Sequence, residues 1–295
     1  MTLTFATYNI QFGLGQDGQF DILRIADAVA EADIVCFQEV VQGWPRDSYE
    51  DQAAALAGRL NYFYVFGSTF DVDGSTRDED GKVVNRRRTF GNMVASRWPI
   101  SASRTLHLRK KPSPGVFDLQ RCAVEAIVEV PGGPLRVYST HLGHQAPSHR
   151  MPQVEALREY IFRAPYEAAP IDAPHPQPPE SAFDWTEGLP FTPAPRSAIL
   201  AGDFNCRPTS EEYAHLCGEP HHKHGRTRHY DQLVDTWVAS GHGEEGVSTI
   251  YNRDGAYKID HVLVTEDLAP KVKSSRVATD VTASDHYPVF VEFDV

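Results

Sequence analysis

Apolar, strand-like runs in this sequence end repeatedly on a carboxylate, an amide or an imidazole, and this feature constrains the fold most. Asn9 ends the first run, Gln38 and Glu39 end the run at 34–37, and Thr140 and His141 end the run at 135–138. Asp203 and Asn205 follow the run at 198–201, Asp260 and His261 lie inside 258–264, and Ser284, Asp285 and His286 immediately precede the last run. Ends of this kind occur where a layered sheet protein opens into a cleft. A buried carboxylate is costly unless it is paired or bound to a cation. Four acids and two histidines converging at strand ends therefore point to a metal, and to a hard, oxygen-seeking one.

The runs at 3–10, 34–38, 62–66, 90–96, 121–129, 135–140, 197–201, 258–264 and 287–293 are rich in Val, Ile, Phe, Tyr or Thr and predict strands. Helical spacing falls between some of them: 21–32 repeats apolar residues at Ile22, Ile25, Ala26 and Val29, and 49–60 and 153–162 behave alike. Helices near the start and middle, with consecutive strands between, predict a layered α and β sandwich rather than a strict βαβ repeat. At 295 residues the chain can bury a large core, and 1–295 reads as one domain. Residues 165–195 hold nine prolines, which exclude regular helix or central strand, and they read as an ordered insertion carrying Phe183, Trp185 and Phe191. The polar stretch 71–88 predicts an exposed loop ending in three arginines.

Hydrophobic residues make up 41% and charged residues 23%, an ordinary globular balance. The 28 basic and 40 acidic residues leave a net charge of −12, so long polyanions are not gathered by bulk attraction. A phosphate-bearing substrate must be captured locally, which weighs against a tight non-specific DNA binder without excluding a nuclease. Cys36, Cys122, Cys206 and Cys217 lack CxxC spacing and read as reduced, mostly buried thiols. No run reaches the ~20 apolar residues of a membrane helix, and the first residues lack the pattern of a leader. A cytoplasmic protein without a membrane partner is the expectation.

The segments Thr7 to Asn9, Gln38-Glu39, Ser139 to Leu142, Gly202 to Asn205, Ile259-Asp260 and Ser284 to Pro288 carry a resemblance. In this order they are similar to the motif set of the endonuclease/exonuclease/phosphatase superfamily. That superfamily includes DNase I, abasic-site endonucleases, deadenylases, sphingomyelinases and inositol polyphosphate 5-phosphatases. The match runs from about residue 3 to 293, and its specificity lies in the joint occurrence of six motifs. It implies an α/β fold of four layers, αββα, with two packed mixed β-sheets flanked by helices. It also implies Mg²⁺ or Mn²⁺, one or two ions, and one-step attack by water on phosphorus.

Carried over by position, Glu39 resembles the principal metal ligand, with Asn9 and Asp285 completing or supporting its shell. Asp260 and His286 resemble a carboxylate–histidine pair. Asp203 and Asn205 would position or deprotonate the attacking water, and His141 would donate to a phosphate oxygen. Either Asp203 or His286 can be the base; Asp203 is favoured, with His286 on the phosphate. Such chemistry needs charge neutralisation at the phosphoryl oxygens and a proton acceptor near neutral pH.

Other residues have competing readings. Arg86, Arg88 and Asn92 are substrate-binding candidates, and the arginines read equally as a hydrated run. His144 and His149 read as surface residues that start a helix, with lining of the cleft or a second metal as the alternative. Arg150 and Gln153 read as residues that pack or order that segment, and Asp235 and Trp237 as core of the second half. The histidine-rich stretch 221–229 reads first as solvated surface, then as a loop near the substrate, and last as a zinc site.

The functional expectation is a metal-dependent phosphoesterase acting on a small or mid-sized phosphodiester or monoester. The alternatives are a nuclease and, from another class, a scaffold of the same fold without catalysis. Lys258 to His261 replaces the signature expected of inositol 5-phosphatases, and His141 stands where abasic-site endonucleases usually carry a tyrosine.

Overall fold

The computed structural model describes residues 2–167, 194–251 and 257–294. The first half runs β1 (Thr2–Asn9), α1 (Ile22–Ala28), β2 (Ile34–Gln42), α2 (Gln52–Leu60) and β3 (Phe63–Asp73), then a two-stranded hairpin of β4 (Thr76–Arg77) and β5 (Val83–Val84), and β6 (Arg87–Ser96). Next come β7 (Ile100–His107), β8 (Cys122–Val130), β9 (Gly133–His141), α3 (Pro147–Glu167), β10 (Ala198–Asp203) and α4 (Glu211–Cys217). The chain continues with β11 (Glu219–His221), β12 (Gly225–Thr227), β13 (Val234–Asp235), α5 (Thr236–Ala239), β14 (Asp260–Val264), β15 (Val272–Val277) and β16 (Val289–Asp294).

Two six-stranded sheets result, ordered β15-β16-β1-β2-β6-β3 and β13-β14-β10-β9-β8-β7. Both are mixed. The pair β1/β2 is parallel in the first and β9/β10 in the second, and the other pairings are antiparallel. In β1, Leu3 and Phe5 face the other sheet and pack with Val124, Val137, Ile199 and Val262, while Ala6 and Tyr8 face Ile25 and Leu56 of α1 and α2. The second sheet buries its outer face, through Tyr138 and Leu200, under α3 and α4. Strands covered on both faces read as near-continuous apolar runs, which is why they stand out in the sequence. The order is thus helix, sheet, sheet, helix, the four layers that the motifs imply.

The helices begin where capping residues permit. Asp21 accepts from the backbone N–H of Leu23 and Arg24 ahead of α1, Asp51 caps α2 through Ala54, and Ser210 caps α4 through Tyr213. Several expectations need correction. Residues 71–88 are not one exposed loop: Asp71 to Asp73 continue β3, Arg87 and Arg88 open β6, and a short hairpin lies between. Helix α3 starts before and ends after 153–162 and contains Pro152 and Pro165. The proline-rich insertion falls mostly within 168–193, outside the described residues. No helix among the described residues is long and apolar enough to cross a membrane.

Candidate active site

Strand pairing sets the floor of the site. Asp203 ends β10 directly opposite His141 of parallel β9 on one side and Asp260 of antiparallel β14 on the other. Three side chains distant in sequence thereby sit in one row across the second sheet. The first sheet supplies the facing row, since Asn9 of β1 is in register with Gln38 of β2, one residue before Glu39. The β2/β6 ladder slips between Phe37 and Val40, and Glu39 itself takes a left-handed backbone, with φ 61°. This bulge turns a carboxylate that would sit in the sheet face toward the gap.

The two rows meet through hydrogen bonds. Asn9 Nδ2 donates to Glu39 Oε1 at 3.3 Å and to Asp203 Oδ2 at 3.0 Å. Beneath them Gln38 Nε2 donates to Ser139 Oγ at 3.0 Å, and Ser139 Oγ donates to the Phe37 carbonyl at 3.0 Å. His286 Nδ1 lies 2.9 Å from Asp260 Oδ2, and its Nε2 lies 3.7 Å from Asp203 Oδ2. Thr249 ties this pair together: its Oγ1 accepts from the Asp260 N–H, and its carbonyl accepts from the Tyr287 N–H. Ser284 Oγ donates to the Asn9 carbonyl at 2.8 Å, bringing half-buried Asp285 to the same end of the first sheet. His141 Nε2 faces Asn205 Nδ2 at 3.1 Å and Asp203 Oδ2 at 3.3 Å, while Nδ1 has no hydrogen-bond partner and lies 3.8 Å from Glu39 Oε1. Asn205, also left-handed with φ 49°, holds its place by donating to the Leu142 carbonyl. The eight residues expected at the chemical centre therefore share one end of the sandwich.

Burial governs the charges. It raises the pKa of Glu39 and of Asp203; at Asp203 the charge on His286 opposes the rise and that on Asp260 adds to it. Burial alone would depress His286, but the attraction of Asp260 and Asp203 outweighs it and the ring is held cationic well above the ordinary histidine range. His141 moves the other way, pushed well down by burial and by the Arg121 charge, and is neutral. Asp203, Asp260 and His286 offer ligand atoms within 4.8 Å of one another, and the buried Asp260 Oδ1 has no hydrogen-bond partner. Glu39 adds a carboxylate beside them, and Asn9 brings its amide nitrogen to Glu39 and Asp203 while its Oδ1 accepts from the Gln11 N–H. This oxygen-rich set with an orphaned carboxylate oxygen fits a hard divalent cation.

A cavity of about 440 Å³ opens over this floor. Phe12, Trp44, Phe70, Phe90, Phe117 and Leu119 form much of its wall, and Arg46, Arg121 and His144 bring cationic or titratable groups. Arg121 is 3% exposed; its Nη2 reaches His144 Nδ1 at 3.2 Å, and its Nε and Nη1 have no partner. Sequence reasoning missed Arg121, although it precedes an apolar strand just as the acids end theirs. His144, expected at the surface, is exposed and lines the cavity.

The three substrate-binding candidates lie elsewhere. Arg86 stacks on Tyr49 at 4.0 Å and Arg88 lies over Trp44 at 5.9 Å, both outside the cavity lining. Asn92 is fully buried between the sheets, donating to the Cys122 carbonyl at 2.9 Å. Arg150 and Gln153 order the segment after His141. Arg150 pairs with buried Glu212 at 2.7 Å and donates to the Gly143 carbonyl, while Gln153 Oε1 accepts from the Gly143 N–H. His221, His222 and His224 stack on one another in the β11/β12 hairpin, away from the cavity lining. All four cysteines are free and buried.

No curated protein matches the chain. Among solved structures, an endonuclease/exonuclease/phosphatase from Beutenbergia cavernae is 25% identical, with a TM-score of 0.59 over 100% of this chain and 72% of that one. An endonuclease/exonuclease/phosphatase family protein from Leptotrichia buccalis is 19% identical, with a TM-score of 0.63 over 99% and 100% of the two chains. A mannosyl-6-phosphatase from Bacteroides thetaiotaomicron is 20% identical, with a TM-score of 0.63 over 99% and 100%. The last two likenesses speak for the fold. The sequence matches the Endonuclease/Exonuclease/phosphatase family over residues 6–286, a span that takes in Asn9, Glu39, His141, Asp203, Asp260 and His286. Motif order, paired mixed sheets and family match agree, and the chain belongs to the endonuclease/exonuclease/phosphatase family.

Proposed function

We propose that the protein is a divalent-metal-dependent hydrolase of phosphate esters, acting by direct attack of water on phosphorus. The observation that carries this reading is the single buried cluster in which Asn9 joins Glu39 to Asp203 and Asp260 holds His286. Members of the family are generally phosphoester hydrolases that use divalent metals. Glu39, Asn9 and Asp285 would hold Mg²⁺ or Mn²⁺, with the carboxylates of Asp203 and Asp260 as competing ligands, since His286 held cationic has no lone pair to offer. A bound ion would neutralise charge on the phosphoryl oxygens and favour the developing transition state.

The protein's own groups supply the rest. Asp203, its basicity raised by burial, accepts the proton of the attacking water, and Asn205 orients that water. His286, kept charged by Asp260 and Asp203, donates to a phosphoryl oxygen. Neutral His141 donates a further hydrogen bond as charge develops. Arg121 is positioned to receive phosphoryl oxygens, since its two unpartnered nitrogens are costly to leave dry and unpaired. The net charge of −12 favours a small or mid-sized ester over a long polyanion.

Phosphate release from simple mono- and diesters tests the reading. Activity should require Mg²⁺ or Mn²⁺, vanish with EDTA and fall at least about 10²-fold in Asp203→Ala. Metal-independent turnover, or an Asp203→Ala enzyme as fast as the parent, would sink it. No turnover on any ester would leave the scaffold reading in its place.

A further inference from the structure

Resting on the phosphoesterase reading, we infer that the cavity selects esters whose alcohol carries a planar aromatic ring, in preference to polyol phosphates. Five aromatic side chains line it, and they come from separate parts of the fold. Phe12 lies in the turn after β1, held in the left-handed region with φ 47°, which a non-glycine residue adopts only under constraint. Trp44 is fixed by its indole N–H, which donates to the Thr89 carbonyl at 2.7 Å. Phe70 and Phe90 stack with ring centroids 5.7 Å apart and planes within 5°. Phe117, on the loop before β8, is 72% exposed and therefore presents a ring with little protein cover.

The polar inventory of the wall supports the same choice. A polyol needs several hydrogen-bonding partners that are not already committed to the phosphate or to one another. Among the described residues lining the cavity, Asn205 is the single amide and there is no hydroxyl, and that amide is already engaged with His141 and the Leu142 carbonyl. The other polar groups are the charged or titratable floor and Arg46, Arg121 and His144. Arg46 is itself laid against Phe12 at 4.0 Å and Trp44 at 4.7 Å, so the aromatic wall already accommodates a planar group face-on. A phosphate held over the floor leaves its alcohol against this wall. A ring gains stacking there, whereas a polyol would lose its water without replacement.

The test pairs binding with turnover. Phenylphosphonate and the hydrolysis-resistant phosphonate analogues of a nucleoside 5′-monophosphate and of glycerol phosphate are titrated calorimetrically into the metal-loaded protein and into Phe117→Ala. The same protein is assayed on benzyl phosphate, the nucleotide and glycerol phosphate, all esters of weakly acidic alkyl alcohols, so that leaving-group acidity does not set the ratio. At least one aromatic compound should exceed glycerol phosphate about tenfold or more in affinity and in kcat/KM, and Phe117→Ala should narrow that ratio several-fold. The two aromatic arms distinguish a ring carried close to the phosphate from a nucleobase. Equal affinities, or a preference for the polyol, would overturn the inference while leaving hydrolysis intact. Selective aromatic binding without hydrolysis of any ester would uphold it and defeat the phosphoesterase reading instead.

Discussion

Asn9 and Asp203 stand on different sheets, 194 positions apart in the chain, and the amide of the first donates to the carboxylate of the second at 3.0 Å. The same amide nitrogen reaches half-buried Glu39, so one side chain spaces two acids that would otherwise repel. Replacing Asn9 by Ala removes this spacer without touching the apolar core. Activity should fall about 10–100-fold, with far-ultraviolet circular dichroism unchanged. Parent-like rates in Asn9→Ala would mean that the bridge has no part in the chemistry.

The pH dependence of stability follows from Asp203. Its pKa is raised in the folded protein, chiefly by burial. A raised acid favours folding fully below its unfolded value, near pH 4, and that advantage is lost as pH rises through the folded value. In the metal-free protein Asp203→Asn abolishes this loss. The variant should melt above the parent at neutral pH, by about 2–4 °C for each kcal/mol recovered, and the two curves should meet near pH 4. Melting temperatures measured in EDTA across that range decide it; a constant gap would show that Asp203 is not the titrating group.

Asp260 acts on His286. Burial opposes protonation of this ring, and Asp260 is the largest influence in favour of it, followed by Asp203. Asp260→Asn should lower the imidazole pKa, read from the histidine ring signals by NMR, and reduce kcat by about 10²–10⁴-fold. It should also bring the alkaline loss of activity to lower pH, because the donor form of His286 is lost sooner. An unmoved NMR titration would break the link between the pair and the mechanism.

Much of this was legible in the sequence because the fold buries its strands on both faces, so that polar strand ends contrast sharply with apolar interiors. Asn9, Glu39, His141, Asp203 and His286 were all visible in that way. Strand β7 was not: its residues alternate between half-buried and exposed, and Ile100, Ala102 and Leu106 are too sparse to stand out. The wall of the cavity was equally hidden. Phe12, Trp44 and Phe117 lie in turns and loops, where no periodicity marks which face they serve. Asn92 shows the converse, a polar residue that ties sheet to sheet and never reaches the cleft.

Below the floor, a second buried charge cluster gathers around Lys258, just before β14, and His261 of β14, on either side of Asp260. Lys258 Nζ lies 2.5 Å from Asp235 Oδ2, Tyr213 donates to the same oxygen at 2.7 Å, and His261 Nδ1 is 3.6 Å away. Lys258 and Asp235 are 1% and 2% exposed, so neither charge has water to fall back on. Burial opposes ionisation of Asp235, yet Lys258 and His261 outweigh it and hold the carboxylate well below its usual range. Its stabilising share is therefore complete above the unfolded carboxylate value and disappears as pH falls through the depressed one. Asp235→Ala leaves Lys258 buried without an anion and should cost about 3–5 kcal/mol. Adding Lys258→Met to that variant should recover part of the loss, because the buried cation left without an anion is removed, while the α5 cap and the Tyr213 partner stay lost. Urea unfolding at neutral pH provides the three free energies. A double variant no more stable than Asp235→Ala would mean that the acid works through its cap on α5 and its bond with Tyr213 rather than through the lysine.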